Sequence, residues 1–295
     1  MLNSKILHYF ATIVAQGSYT KAAEHLGIAQ SALSIAMRKF EEQLGMPLLI
    51  RSSKGVVVTK EGEVLLVHCK DILARISDAE TALNDLRGLE QGEVSIGIPG
   101  MMGSYFFPEI LMAFKFKYPN LKLSIMEGGT QTIKEKLLSG ELDLGVIVDD
   151  HLPDSLQVQR FVRPQMVAAV GKNHALADAK SVTYADFFTH ELVMFKAGYF
   201  HREIIDSLCE ANNMTVNYSF ETNLITMILN IVKNEFAITA LLELVTDQET
   251  DVMGIPFDPP IYLDLALAWR KDGYLSLANR RFVEFTLAQV ASIDS

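Results

Sequence analysis

The stretch Gly17-Ser18-Tyr19-Thr20-Lys21-Ala22-Ala23-Glu24-His25-Leu26-Gly27-Ile28-Ala29-Gln30-Ser31-Ala32-Leu33-Ser34-Ile35-Ala36-Met37-Arg38-Lys39-Phe40-Glu41-Glu42-Gln43-Leu44-Gly45-Met46-Pro47-Leu48-Leu49-Ile50-Arg51 carries its own punctuation. Ser18 is placed to cap a short helix, Ala22 and Ala23 allow close helix approach, and Gly27 supplies a left-handed stop. A second helix follows from Gln30 to Gln43, ended by Gly45 and Pro47. Ala32, Leu33, Ala36, Met37 and Phe40 are expected to pack inward, which turns Gln30, Ser31, Ser34, Ile35, Arg38 and Lys39 outward. Gln, Ser and Arg donate to base edges and phosphates, so the pair reads as a helix-turn-helix whose second helix fits a DNA major groove. On pattern alone, a merely solvated helix face fits as well.

The residues around this stretch extend the same unit. Ile6, Leu7, Phe10, Ile13 and Val14 recur at helical spacing after Asn3 or Ser4, predicting a core helix to about Gln16. Leu48 to Arg51 and Gly55 to Val58 predict two short strands, a wing with Lys54 at its tip, where a lysine reaches phosphate or the minor groove. Thr59 opens a long helix to about Leu89, on the order of 45 Å at ~1.5 Å per residue. Leu65, Ile72, Ala79 and Leu86 fall seven apart, and Cys69, Ile76 and Leu83 fill the alternate positions, which predicts a dimerising coiled coil. Arg87 to Gly92 would be a hinge.

Beyond Gly92 strands and helices alternate. Strands are expected at Val94–Ile98, Leu121–Glu127 and Leu142–Val148, with helices at Ser104–Lys117 and Gln131–Leu138, a βαβαβ pattern that predicts a parallel sheet. A second set comprises strands at Met166–Val170, Leu192–Phe195, Val216–Glu221 and Ala237–Leu241 and helices at about His201–Asn212 and Leu224–Lys233. A strand at Leu263–Trp269 and a helix at Ser276–Ile293 close the chain.

Charge is divided unevenly. The net −10 of the whole argues against nucleic-acid binding, yet residues 1 to 60 hold seven basic and three acidic side chains, an excess of +4, and the remainder carries −14. That is the balance of a basic DNA-binding unit joined to an acidic body. Cys69 and Cys209 are far apart and lack metal-ligand spacing, so neither a disulfide framework nor a metal site is expected. Met1-Leu2-Asn3-Ser4-Lys5 has no export pattern, and no apolar run is long enough for a membrane span, so a soluble, cytoplasmic protein is expected.

Gly17-Ser18-Tyr19-Thr20-Lys21-Ala22-Ala23, Gln30-Ser31-Ala32-Leu33-Ser34, Leu44 to Arg51 and Thr59-Lys60-Glu61-Gly62 together closely resemble the DNA-binding domain of LysR-type transcriptional regulators. Gly97, Gly103-Ser104-Tyr105, Phe107-Pro108, Phe114, Tyr118-Pro119 and Gly140-Glu141-Leu142-Asp143-Leu144 are similar to that family's effector domain, so nearly the whole chain is covered. The resemblance implies an α/β fold class: an N-terminal winged helix-turn-helix (1–58), a coiled-coil linker helix and hinge (59–91), and a regulatory domain (92–295). The last would hold two Rossmann-like subdomains of periplasmic-binding-protein type, subdomain I at about 92–162 and 267–295 and subdomain II at about 163–266. It further implies promoter DNA as partner, a small-molecule effector between the subdomains, dimers assembling into a homotetramer, RNA polymerase as a further contact, and no cofactor.

Departures from the family pattern lie at Ser31, where proline is common, at Ile35, where a polar residue is common, and at Pro99-Gly100-Met101-Met102, where hydroxyls would usually bind a carboxylate. Three segments are candidates to line the cleft: Pro99, Gly100, Met101 and Met102; Gly128, Gly129 and Thr130; Tyr199, Phe200 and His201. Thr222 joins them. Strand ends and helix N-termini are where such sheets bind ligands. DNA contacts are assigned to Gln30, Ser31, Ser34, Ile35 and Arg38 for bases and to Lys39, Arg51 and Lys54 for the backbone. Gly97, Gly100 and Gly103 suggest a dinucleotide fingerprint, but it requires glycine where Pro99 stands. Neither a catalytic triad nor a P-loop appears, so an enzyme or a stand-alone solute-binding module explains less. A redox switch at Met101, Met102 or Cys209 is the alternative within the same family.

Overall fold

The computed structural model describes residues 2–52, 55–86, 92–150 and 152–293. The chain divides into two compact units, Met1–Leu83 and Asn84–Ser295.

In the first unit α1 (Ser4–Gln16), α2 (Tyr19–Leu26) and α3 (Gln30–Leu44) start and stop at their local signals. Asn3 Oδ1 accepts from the Ile6 amide at 3.0 Å, and Ser18 Oγ caps α2 through the Lys21 amide. Gly17, Gly27 and Gly45 end the three helices with φ of 59°, 65° and 70°, a region open to glycine at no steric cost. Leu7, Phe10, Ile13, Leu33, Met37 and Phe40 meet as a buried core. Strands β1 (Leu49–Ser52) and β2 (Gly55–Val58) form an antiparallel hairpin. Glu41 ties it to α3, its Oε1 accepting from the amides of Leu48 and Leu49 at 2.8 and 3.0 Å. Thr59 ties it to α4 (Lys60–Asp85), donating to the Pro47 carbonyl and accepting from the Gly62 amide.

Ala32, expected inside, is exposed. It lies at the flank of α3, where an alanine stem is too short to reach the core that Leu33 and Phe40 fill.

The second unit holds two lobes. In lobe I, β3 (Gly92–Ile98) pairs in parallel with β4 (Leu121–Glu127) and β5 (Leu144–Val148). Beyond β5 the sheet turns antiparallel, through β13 (Leu265–Arg270) and β6 (Leu156–Val162), in the order β4-β3-β5-β13-β6. The expected first helix is two: α5 (Gly100–Tyr105) and α6 (Phe107–Lys117), broken where Pro108 enters the first turn of α6. Then come α7 (Thr130–Ser139) and the closing α12 (Leu277–Ile293). Asp85 Oδ2, at the end of α4, accepts from the Leu277 amide and the Tyr274 hydroxyl and so caps α12.

In lobe II, β7 (Gln165–Gly171) is central between β11 (Thr239–Leu242) and β12 (Val252–Tyr262), with β8 (Val182–Thr183) at the edge. β9 (Leu192–Met194) and β10 (Tyr218–Glu221) form a parallel pair, and Leu192 bridges to Ile238. Helices α8 (Tyr184–Phe187), α9 (Phe200–Ala211), α10 (Ile225–Lys233) and α11 (Glu243–Thr246) complete the lobe. The return crossing to lobe I lies at Leu263–Asp264, ahead of the expected boundary at 266–267, because Leu265 already pairs with Val148 and Val162. β6 and β12 were not anticipated. Pro256, Pro259 and Pro260 break the pattern of β12, and its pairing slips between Pro256 and Ile261 to accommodate them.

Gly62 fixes how closely α4 packs on the hairpin: a Cβ there would stand 2.3 Å from the Leu48 carbonyl oxygen and 2.7 Å from Val58 Cγ1. Gly62→Ala is therefore expected to destabilise the first unit by about 1–3 kcal/mol. Hydrogen exchange on the full chain should show faster exchange in α1 and α3 with β5 unchanged. Unaltered protection of α1 and α3 would mean that α4 can shift off the hairpin at little cost.

Candidate functional site

The outward face of α3 is the first candidate. At about 100° per residue, Gln30, Ser34, Arg38, Ser31, Ile35 and Lys39 fall within roughly half the helix circumference, opposite Leu33, Met37 and Phe40. Gln30, Ser31, Arg38 and Lys39 are exposed and Ser34 is half-buried. Ile35 is 45% exposed within this polar arc, between Ser31 and Lys39. Arg38 sits 3.9 Å from Glu42, with both side chains well exposed. Such a pair holds Arg38 weakly and leaves it available to a stronger acceptor. Arg51 lies on β1, but its side chain, like all of Lys54, lies outside the described residues, as do residues 87–91 of the expected hinge.

The second candidate is the junction of the two lobes. Gly129 lies so close to Gly198 that a Cβ on Gly129 would stand 2.3 Å from the Gly198 carbonyl oxygen. That carbonyl accepts from the Gln131 amide at 3.3 Å, a backbone bond from lobe I to lobe II. Beside it the Tyr199 hydroxyl donates to Glu127 Oε1 at 2.9 Å, also across the lobes. Burial and this bond push the Tyr199 phenol up to about 12, so it stays a donor throughout the neutral range. His201 Nε2 meets Met101 Sδ at 3.3 Å, and its ring stacks on Phe195 and Phe200 at centroid distances of 4.7 and 3.7 Å. At the other side Tyr105 Oη donates to Glu249 Oε1 at 2.6 Å, and Glu249 Oε2 pairs with Lys233 Nζ at 2.7 Å. The Lys233 and Tyr105 bonds hold the Glu249 carboxyl below its ordinary range.

α7 and α9 both begin here, capped by Gly129 and Tyr199 with no side chain accepting from their first-turn amides. Two polar atoms, Thr130 Oγ1 and His201 Nδ1, are buried without a hydrogen-bond partner. Orphaned buried polar atoms are what a bound polar molecule would satisfy.

The structure thus brings together Pro99, Gly100, Met101, Gly129, Thr130, Tyr199, Phe200 and His201, which sequence reasoning assigned to one cleft. Met101 and Met102, at 1% and 0% exposure, are packed in the core common to both lobes, not displayed on an open wall. Gly128 is buried beside Met126 of its own lobe. Thr222 closes a local turn, its amide donating to the Met194 carbonyl and its hydroxyl accepting from the Leu224 amide. It makes none of the contacts between the lobes described above. Glu127, Tyr105 and Glu249 were missed. Tyr199 and Glu127 are 72 residues apart and Tyr105 and Glu249 are 144 apart, so no local pattern joins them.

The proposed dimer seam divides. Cys69 is fully buried against α1 and donates to the Leu7 carbonyl at 3.1 Å, and Leu65 packs on the same core. Both therefore belong to the fold of one chain and are removed from the seam. Ile72, Ile76, Ala79, Leu83 and Leu86 remain exposed, Leu83 at 65% and Leu86 at 83%.

The chemistry for oxidation is unfavourable. Burial pushes the Cys69 thiol up to about 11. Burial first, then Asp206 and Glu210, raise Cys209, whose thiol donates to the Met214 carbonyl. A thiol held protonated reacts slowly with oxidants. Among the described residues no group of three or more His, Cys, Asp or Glu is arranged to hold a metal ion, and no helix is long and apolar enough to cross a membrane.

Comparison with known proteins places both units in one family. Residues 5–63 match the bacterial regulatory helix-turn-helix protein, lysR family, and residues 87–291 match the LysR substrate binding domain. The uncharacterized HTH-type transcriptional regulator YwbI of Bacillus subtilis (strain 168) is 31% identical over 95% of this chain and 94% of its own. Full-length OxyR from Pseudomonas aeruginosa shares the fold, with a TM-score of 0.71 at 20% identity over 98% of this chain and 95% of that one. CbnR in complex with its target DNA does so with a TM-score of 0.54 at 21% identity, over 98% of this chain and 100% of that one. With both units matched in order over nearly the whole chain, this chain is a member of the LysR-type transcriptional regulators.

Proposed function

We propose that the regulator reads promoter bases with Gln30, Ser31, Ser34, Ile35 and Arg38, and holds the DNA backbone with Lys39, Arg51 and Lys54. The exposed polar arc of α3 carries this reading. Ile35 is solvent-exposed where burial would not reward an apolar side chain, and it suits contact with a thymine methyl. The exposed stripe Ile72, Ile76, Ala79, Leu83 and Leu86 pairs two copies, so two α3 helices address two half-sites. Dimers then pair into a tetramer in the cytoplasm, with RNA polymerase as a further contact, and the protein acts without turning over its effector.

The effector is a small molecule bound where Gly129, Thr130, Tyr199 and His201 converge. It shifts the balance between closed and open lobes, and through it the packing of the dimers on DNA. The unpartnered Thr130 and His201 atoms support this site. The burial of Met101 and Met102 and the raised thiols of Cys69 and Cys209 favour ligand over oxidant.

The functional reading yields three expectations. Arg38→Ala or Ser34→Ala should weaken binding to the specific operator by about 1–3 kcal/mol and binding to random DNA far less. Equal loss on both, by fluorescence anisotropy, would assign these residues to phosphates. Leu83→Lys should shift the dimer toward monomer in sedimentation velocity while leaving the circular dichroism of each chain unchanged; an intact dimer would place the seam elsewhere.

A panel of metabolites screened by thermal shift should include one that stabilises the wild type, by about 2.7 kcal/mol at 100 times its Kd. The same compound should lose its effect in Gly129→Ala, whose added methyl forces the lobes apart. Stabilisation undiminished in that variant would place the effector outside the junction.

A further inference from the structure

We propose that His201 makes the lobe junction a proton-operated switch: the lobes close over a neutral imidazole and are held apart by a protonated one. This rests on reading the junction as the regulatory cleft, and it adds a second input to that site.

The geometry leaves an imidazolium nowhere to go. His201 lies on the first turn of α9 at 1% exposure. One face of its ring covers Phe200 and the other elements around it present Phe195 and the Met101 thioether. Nε2 has only that sulfur, a weak acceptor, and Nδ1 has no partner. An imidazolium needs two acceptors, and among the described residues neither ring nitrogen has an oxygen hydrogen-bonded to it.

The titratable groups on the surrounding elements are engaged with other partners or turned to solvent, as Lys196 beside Phe195 is. Glu127 of β4 and Tyr199 at the cap of α9 are bonded to each other. Tyr105 of α5 is bonded to Glu249. Arg202, next on α9, is held by Asp206 and Glu221. Glu203 is exposed, and β9 and β11 carry no ionisable side chain. Burial alone therefore accounts for the low basicity of His201, at about 3 against an ordinary 6.5.

Opening the lobes removes Met101 from Nε2 and admits water. The ring then regains its ordinary basicity. The sign follows from linkage: closure of a group whose basicity falls on closing is unopposed above pH 6.5. As the pH drops below that value, closure weakens by up to tenfold per unit. Between about pH 7.5 and about pH 5 the closed-to-open ratio is expected to fall by about thirtyfold. Acidification and an opening effector would then act in the same direction.

The test uses full-length wild type, His201→Gln and His201→Leu, with deuterium labelling at about pH 7.5 and about pH 5 scaled for intrinsic exchange. The reporter is the Gln131 amide, bonded to Gly198 of the other lobe; amides of β5, inside one sheet, are the control. Protection at Gln131 should fall by about thirtyfold in wild type while β5 holds, and both variants should lose that pH response. The proposal is overturned if wild-type Gln131 keeps its protection at the lower pH, if β5 loosens in step with it, or if the variants respond as wild type does. Should neither variant fold, the wild-type comparison of Gln131 with β5 still decides. The only probe is the proton, so a flat response leaves the metabolite result standing, and an empty metabolite screen leaves this one standing.

Discussion

Backbone lies against backbone where Gly129 meets Gly198, and the arrangement of the regulatory unit follows from that approach. No side chain fits there, since even a Cβ would overlap the carbonyl oxygen. The absence of one lets the Gln131 amide reach the Gly198 carbonyl. It also brings Tyr199 onto Glu127 and His201 onto Met101. The two lobes then share one hydrophobic cluster, from Ile98 and Met101 on one side to Phe195 and Phe200 on the other. Closure is held by a handful of polar contacts around an apolar seam.

The DNA-binding unit is built on the opposite principle. Glu41 accepts two amides from the start of the hairpin, Thr59 bridges Pro47 and Gly62, and Gly62 lets α4 lie against Leu48. The first joins α3 to the hairpin and the other two join the hairpin to α4, so the three elements are tied in series. A face that reads bases by hydrogen-bond geometry needs such rigidity, because an error of one ångström forfeits the match.

How much of this was legible depended on how local the signal was. Ser18, Gly27 and Gly45 marked the helix ends within a residue, because a cap is a property of its neighbours. The parallel order of β3, β4 and β5 followed from alternation with helices. β12 escaped because its prolines read as a loop, and only the slip in its register lets β7 pair around them. The break at Phe106 was marked by Pro108, but the apolar run masked it. The cleft residues could be named because they follow strand ends or precede helices. Their partners Glu127, Tyr105 and Glu249 could not, since a contact across lobes leaves no trace in spacing. For the same reason, nothing in the sequence separated the buried His201 from an exposed one.

The heptad in α4 shows where a periodic signal loses its meaning. A seven-residue repeat states that one stripe of a helix is apolar; it does not state what covers the stripe. Leu65 and Cys69 are covered by α1 and the core of their own unit, which removes them from any partner. From Ile72 onward the same stripe faces water in the single chain. Leaving it there forgoes about 25 cal/mol for each Å² of apolar surface, a loss that a second copy of the helix, paired as proposed, would recover. The change of partner along one continuous helix therefore couples the two tasks. In the proposed dimer, the turns that orient α3 are fixed inside the chain, and the turns that follow would set where the second α3 stands.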